Sequence, residues 1–313
     1  MVNIPSKIHE DHMDIKNLLT SIFILPALFI AGLLTGCGGG GSGVKPSTGG
    51  GTVTSPSYEN MSSTADATST LAGSGIRSNG TSGAIDLVNT SGSLKHDTGA
   101  TTLNDGTYTL TDSDGFNASN VMSDGSSTLT SDGTQGFSGT YEYVRAYNQT
   151  YISGGVTYDT TGIYGIATNA SDMPTSGSAT YTGEATGVVV TATQGFGLSS
   201  GTSTVNADFG AGTVNVTLNG FTATDQATGN AATAPIDTIS VNGMTISGNG
   251  FSGGTATTSN GGTTTSVTGA NTTSNPQGHF FGYDSANSRP DEVGGNVLIQ
   301  GDDGRVIGTF IAD

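Results

Sequence analysis

The feature that most constrains this chain is the alternation of apolar and polar residues between closely spaced glycine turns. In segments 205–209 and 214–218, which flank the turn Gly210-Ala211-Gly212, every second residue is apolar. A period of two places the apolar side chains on one face of a β-strand. The chain has 51 glycines, no tryptophan and 33% hydrophobic residues, which disfavours helices and one large core. The sequence therefore predicts an all-β protein of short antiparallel strands.

Turn signals mark the hairpins. Between residues 83 and 136, Asp-Gly pairs recur at 105–106, 114–115, 124–125 and 132–133, and Asp-Gly supplies the positive φ angles of tight hairpin turns. Further along, Ser153-Gly154-Gly155 predicts a hairpin between residues 139 and 167. The oxygen atoms of Asp112, Asp114 and Asn117 could bind calcium, but they lack the glutamate spacing of an EF-hand.

The C-terminal half shows the clearest strand pattern. From residue 236 to 247 the apolar parity switches at Gly243, as a β-bulge would produce. With about eight or nine such strands and no helix to cover an edge, closing the sheet into a barrel would remove its exposed edges. A β-sandwich is the competing architecture.

The N-terminus resembles a bacterial lipoprotein leader. An apolar run at 18–34 leads into Leu34-Thr35-Gly36-Cys37, which is similar to the lipobox, where a peptidase cleaves before a lipidated cysteine. The alternative is a free cysteine after an ordinary signal peptide. We therefore expect a signal peptide at 1–36, acylation of Cys37, and a flexible Gly/Ser/Thr-rich tether over 37–75.

Charge limits the partners of the chain. Its net charge of −17 argues against nucleic acid, because phosphate binding needs a basic surface. Contact with a membrane is expected through the lipid anchor only. Gly38 occupies the position where enterobacterial inner-membrane lipoproteins carry aspartate, so the sequence favours the outer membrane, either surface-exposed or facing the periplasm.

A tyrosine-rich segment is the main candidate for ligand contact. Tyr141, Tyr143, Tyr147 and Tyr151 share one parity, with Arg145 among them, which predicts that they lie on one face of a strand. Two interpretations stay open. The tyrosines form an aromatic cross-strand cluster that closes a small core, or they form a stripe that faces a ligand.

Two regions resemble the transferrin-binding protein B family of surface lipoproteins. The segment 173–183 is similar to the family's P-x-x-G-x-A-x-Y-x-G barrel entry strand. The segments 278–282, 291–295 and 308–312 are similar to its G-x-F-[FY]-G, E-x-G-G and G-x-F-x-A closing motifs. The resemblance implies a β-rich handle domain at 76–170 and an eight-stranded antiparallel β-barrel at 171–313.

The resemblance also implies a non-catalytic binding protein. Its expected ligand is a host or environmental iron-carrier protein, haem or another solute, passed to a TonB-dependent receptor after export with a surface lipoprotein assembly modulator. Haem would need axial donors such as His279 or the tyrosines. No metal or other cofactor is expected, and no nucleophile and base with enzyme-like spacing stand out. The alternative is a structural or adhesive surface lipoprotein without small-molecule cargo.

Overall fold

The computed structural model shows an all-β protein. It describes residues 57–106, 108–112, 121–123, 127–131, 137, 141–265 and 267–313. Cys37, the leader, and Asp114 and Asn117 of the calcium interpretation lie outside these ranges. One 3-10 turn, Ala170–Asp172, separates two sheets. In the described part of the chain, no helix is long and apolar enough to cross a membrane.

The first sheet, which we call the handle, has eight antiparallel strands. Their order is β4-β3-β2-β1-β8-β7-β6-β5, and β4 contacts β5 across the remaining gap, so the sheet is nearly closed. The strands are β1 (Thr68–Asn79), β2 (Ile85–Lys95), β3 (Ala100–Asn104), β4 (Thr109–Asp112), β5 (Val121–Ser123), β6 (Ser127–Ser131), β7 (Val144–Ser153) and β8 (Val156–Ile166).

Strand β1 begins eight residues before the expected start of the handle at 76. Residues 68–75 therefore lie in a strand rather than in the tether. Leu71 is buried in the handle core, and a Cβ on Gly73 would meet the backbone of Tyr164 at 2.8 Å. The Ser/Thr/Gly composition that predicted a tether here reflects close packing of β1 against β8.

The second sheet closes into a barrel. The ring is β9-β10-β11-β14-β15-β18-β19-β20 and back to β9, with every neighbouring pair antiparallel. The eight-stranded barrel is thereby confirmed. Its strands are β9 (Ser178–Val190), β10 (Gly195–Asp208), β11 (Thr213–Asn219), β14 (Thr238–Ser247), β15 (Gly250–Ser252), β18 (Thr273–Phe281), β19 (Glu292–Gly301) and β20 (Gly304–Ala312).

Two short hairpins extend the barrel at one end. They are formed by β12 (Thr222–Asp225) with β13 (Ala231–Ala232), and by β16 (Thr255–Asn260) with β17 (Thr263–Thr265). The predicted alternation is confirmed, because Val205, Ala207, Val214 and Val216 are all at most 2% exposed. The bulge is confirmed as well: the β11–β14 register shifts next to Gly243, whose φ is 72°.

Handle and barrel share a buried interface, which we call the seam. It joins the outer face of β1, β7 and β8 to the outer face of β18, β19 and β20. Ser74 donates a hydrogen bond to Asn296 at 3.0 Å, and both residues are fully buried. Apolar residues on either side of this bond, including Ile76, Ile307 and Ile311, pack across the interface. The two domains are therefore held as one packed unit.

Candidate binding surface at the hairpin end

The seam brings the hairpins of both domains to the same end of the molecule. Along β1, Ser74 lies beside Asn296 and Ile76 packs with Leu298. Beyond them, residues 83–85 of the β1–β2 turn lie beside the β19–β20 turn. We call this the hairpin end. The loop 282–291 lies at the opposite end of the barrel strands.

A stack of three tyrosines lies beneath the handle hairpins. The rings of Tyr108 and Tyr151 are 4.7 Å apart and nearly parallel, at 12°, and those of Tyr151 and Tyr158 are 5.1 Å apart at 17°. The guanidinium of Arg77 lies 5.7 Å from the centre of the Tyr158 ring. Tyr151 is fully buried, whereas Tyr108 and Tyr158 are partly exposed. The stack therefore presents its outer members to solvent on a buried support.

Local sequence explains how the stack forms. The tight turn at Gly154-Gly155, where both φ angles are positive, pairs Ser153 with Val156 and so sets Tyr151 opposite Tyr158. Near the start of β4, the backbone N–H of Tyr108 donates to the Asp105 carboxylate at 2.9 Å in the Asp-Gly turn. Two predicted turns thus position two of the three rings.

Charges hold the stack in place. Arg77 lies 3.8 Å from the carboxylates of both Asp105 and Asp86. Asp105 is only 1% exposed and also accepts a hydrogen bond from the Thr160 hydroxyl at 3.3 Å. Burial raises the pKa of Tyr151, and the negative charge of Asp105 raises it further. Tyr151 therefore stays protonated at neutral pH, and its hydroxyl can donate a hydrogen bond.

The four tyrosines of the sequence prediction do not share one face. Tyr147 belongs to the handle core, whereas Tyr141 packs in the seam, where its hydroxyl donates to the carbonyl of Ile311 at 3.4 Å. Tyr143 packs against both the handle core and the apolar cluster of the seam. Tyr147 and Tyr151 are fully buried, so these two residues act as core aromatics and have no open face for a ligand.

A buried carboxylate explains this division. Glu292 accepts hydrogen bonds from three consecutive backbone N–H groups, those of Glu142, Tyr143 and Val144. Consecutive N–H groups in an extended strand point in opposite directions, so binding one carboxylate bends the chain just before β7. The parity count from residue 141 therefore fails at this bend. Burial, opposed by the three hydrogen bonds, raises the pKa of Glu292 to about 7.

The remaining predicted contact residues lie away from the stack. Arg145 donates hydrogen bonds to the carbonyls of Tyr141 and Val144, so it fastens the bend before β7. His279 lies in the seam beside Gly250 and Phe281. Burial lowers the pKa of its imidazole to about 4, although a hydrogen bond with the backbone of Gly73 opposes this shift. The imidazole is therefore neutral at pH 7. Among the described residues, no three His, Cys, Asp or Glu side chains form a metal-binding group.

Sequence reasoning missed Arg77, Tyr108 and Tyr158. The turn at Gly154-Gly155 could have predicted that Tyr158 lies opposite Tyr151, because a tight hairpin pairs residues at equal distances from its centre. Nothing in the local sequence connects Arg77 with Asp105, since their contact depends on the fold of β1 to β4.

A family comparison identifies the barrel. Residues 173–313 match the family model described as the C-lobe and N-lobe beta barrels of Tf-binding protein B. The matched range begins just before β9 and ends at the last residue, so it covers the barrel and both of its extra hairpins. The sequence matches no curated protein.

Several solved structures are similar to this chain. A double mutant of transferrin-binding protein B from Haemophilus parasuis is 17% identical over 78% of this chain and 44% of its own, with a TM-score of 0.47. The protein from serogroup B Neisseria meningitidis is 18% identical over 76% and 42%, with a TM-score of 0.45. Haemoglobin receptor HpuA from Kingella denitrificans is 16% identical over 81% and 89%, with a TM-score of 0.34. The chain spans less than half the length of the two transferrin-binding proteins.

Proposed function

Because residues 173–313 form a beta barrel of the transferrin-binding protein B family, we propose that this chain is a lipid-anchored outer-membrane protein that binds an iron-carrier protein without catalysing a reaction. The observation that carries the proposal is the tyrosine stack with Arg77 in the handle, at the hairpin end that the handle shares with a barrel of this family. Cys37 would hold the chain in the membrane, and the carrier would meet the end formed by both domains.

The composition of the hairpin end favours a protein ligand. Tyrosine and arginine are enriched among the residues that dominate binding energy in protein interfaces. Tyr108 and Tyr158 are held by stacking on buried Tyr151, so little conformational entropy is lost when they are covered. The cleft between the domains has a volume of about 270 Å³, below the range of about 300–1,000 Å³ typical of small-molecule sites. A protein surface therefore fits this end better than haem does.

The rigid seam also supports a binding role. A carrier that contacts both domains needs their hairpins at a fixed separation, and the buried Ser74–Asn296 hydrogen bond and the surrounding apolar contacts hold them there. Pre-organised surfaces bind with a smaller entropic cost. Export would need the assembly modulator, and the captured carrier would be passed to a TonB-dependent receptor.

Binding of the full chain to carrier proteins tests the proposal. The chain, purified in detergent micelles, is immobilised and titrated with transferrin, haemoglobin and serum albumin loaded with haem. We expect saturable, reversible binding of one carrier. Tyr158→Ala should weaken that binding about tenfold or more, a loss of about 1.4 kcal/mol, because tyrosines are enriched among the few interface residues that dominate binding energy.

Tyr283→Ala is the matched control. Tyr283 stacks on Tyr58 at 6.3 Å in the loop 282–291, at the opposite end of the molecule, so its truncation should leave carrier affinity unchanged. Equal losses in both variants, or no saturable binding of any carrier, would contradict the proposal. Broad attachment to surfaces without a preferred ligand would instead favour the structural or adhesive role.

A second experiment tests the location. Replacing Cys37 with serine should release the protein from the membrane fraction, because the lipid anchor is then lost. Protease treatment of intact cells should remove the wild-type chain from the surface. Retention of Cys37→Ser in the outer membrane, or full protection of the wild type, would contradict a lipid-anchored surface protein.

A further inference from the structure

The cleft between the two domains contains a cation without a partner. Its lining comes from the β1–β2 turn of the handle and from the end of β9 and the β19–β20 hairpin of the barrel. Arg305 is the one cation among these described lining residues. Its side chain leaves the outer face of β20, the same face on which Ile307 packs against the handle.

The other described arginines all have partners. Arg77 pairs with Asp86 and Asp105, Arg145 donates to backbone carbonyls, and Arg289 lies 5.3 Å from the centre of the Tyr181 ring. Within the described ranges, no hydrogen bond or ion pair reaches the guanidinium of Arg305. Burial alone lowers its pKa. A partly buried guanidinium that keeps its charge without a partner has lost solvation and gained no ion pair in return.

Asp302 and Asp303 also line the cleft, but both are fastened to the neighbouring 268–271 loop. Asp302 accepts a hydrogen bond from the side chain of Asn271 at 2.7 Å. The carboxylate of Asp303 lies against Gly269, where an added Cβ would be 2.5 Å from Oδ2. Backbone hydrogen bonds from Asp302 to Ala270 and from Asp303 to Thr268 fasten the hairpin to this loop. Both acids are thereby committed to the 268–271 loop, and Arg305 is left available to a ligand.

The surroundings select the ligand. A guanidinium binds a carboxylate through two parallel hydrogen bonds, a geometry that a single lysine cannot reproduce. Next to Arg305, the seam is apolar, with Ile85, Val188 and Ile307 in one cluster. The cleft volume of about 270 Å³ admits an acidic side chain with its methylene groups. It lies at the hairpin end, where a carrier would dock.

We propose that the interdomain cleft is a carboxylate-binding site, in which Arg305 receives an acidic side chain of the bound partner protein. The choice of a partner protein as the source of the carboxylate rests on the proposed function. The site itself depends only on the cleft, the seam and the unpartnered guanidinium.

Chemical protection of Arg305 tests the site without a carrier. The full chain in detergent micelles is treated with phenylglyoxal, which modifies guanidinium groups, and the modification of Arg305 and Arg145 is followed by peptide mass spectrometry. Three probes are added: acetyl-Gly-Glu-Gly-amide, its glutamine counterpart, and free glutarate. At a glutamate-peptide concentration of about twice the dissociation constant, modification of Arg305 should slow about threefold. Arg145 should be unaffected.

Each outcome decides between the alternatives. Protection by the glutamate peptide but not by the glutamine peptide supports the proposal, whether or not glutarate also protects. Protection by glutarate alone assigns the cleft to a free acid and overturns a partner side chain as the source. Equal protection by both peptides, or by no probe, overturns the carboxylate site.

Variants connect the cleft to carrier binding. Arg305→Gln should weaken the carrier about tenfold or more, and Arg305→Lys should restore only part of this loss. Lys95→Gln, which removes an exposed cation paired with Asp97 at 3.0 Å, should have no effect. If Arg305→Gln binds the carrier like wild type, the partner assignment fails. If no carrier binds at all, the proposed function fails while the peptide result on Arg305 stands.

Discussion

The interiors of the two domains differ in kind. The barrel encloses one continuous apolar cluster to which its strands contribute, with the Phe280 ring in tilted or edge-on contact with the rings of Phe209, Phe251 and Tyr181. The handle encloses a smaller cluster of leucines and tyrosines, and its hairpin end is polar, with Asp105, Gln149 and Thr160 buried.

Because of this difference, the barrel is stable by itself, whereas the handle supplies more of the proposed contact surface. A closed barrel has no exposed sheet edges and buries its apolar face without help. The nearly closed handle relies on the Arg77–Asp105 pair and on the seam. Its polar interior supports Tyr108 and Tyr158, the partly exposed residues of the stack. The domain with the weaker core thus carries more of the proposed contact surface.

Truncation in the barrel core should have the largest effect. Phe280 is 0% exposed and contacts three other aromatic rings, so Phe280→Ala should lower the free energy of unfolding by about 3–5 kcal/mol. Urea denaturation followed by circular dichroism measures this loss.

Ile152→Ala is the matched control, because Ile152 is 56% exposed at the β7–β8 hairpin. It should change the free energy of unfolding by less than about 0.5 kcal/mol. A loss below about 1 kcal/mol for Phe280→Ala would show that the barrel interior is not packed as described.

Breaking the buried ion pair should affect the handle more than the barrel. Asp105→Asn leaves Arg77 without its buried partner, and we expect a loss of about 3 kcal/mol. Hydrogen exchange should accelerate in β1 to β4 and change little in β9 to β11. Asp86→Asn, at a carboxylate whose side chain is 64% exposed, should cost below about 1 kcal/mol. Equal losses in the free energy of unfolding for the two variants would contradict the larger contribution of the buried Arg77–Asp105 pair.

The seam should respond to pH through Glu292. Its folded pKa of about 7 exceeds the ordinary 4.5, so the folded chain binds more protons than the unfolded chain between these values. The contribution of Glu292 to stability should therefore fall by about 3 kcal/mol as pH rises from 4.5 to 7. Glu292→Gln removes this titration. Subtracting the variant's pH profile of unfolding free energy from that of the wild type isolates the contribution of Glu292. Other carboxyls with raised pKa, such as Asp159 and Asp291, cancel in this difference. A difference between the two profiles that does not change with pH would contradict the assignment.

Local patterns predicted much of the fold. The parity of Val205 and Val214 predicted two barrel strands. The switch of apolar parity at Gly243 predicted the bulge, and the turn at Gly154-Gly155 predicted the β7–β8 hairpin. Each of these depends on residues close together in the chain. Closure of the barrel followed from the need to hide sheet edges.

Long-range contacts set the limit of prediction. Glu292 bends the chain before Val144 from 148 residues away, so parity could not reveal that Tyr141 and Tyr147 enter different cores. The Ser/Thr/Gly composition around Gly73 is compatible with a tether or with a tightly packed strand, and only the position of β8 decides. The lack of a partner for Arg305 likewise depends on where Asn271 and Gly269 hold the neighbouring carboxylates.

A hydrogen-exchange footprint of the full chain with its bound carrier protein measures which end of the molecule is used. We expect slower exchange in the handle hairpins around 77–86 and 151–158 and at Asp105 and Tyr108, together with the β19–β20 turn at 300–305. Exchange in the loop 282–291 should not change. Protection confined to that loop, with the handle hairpins unaffected, would contradict binding at the hairpin end.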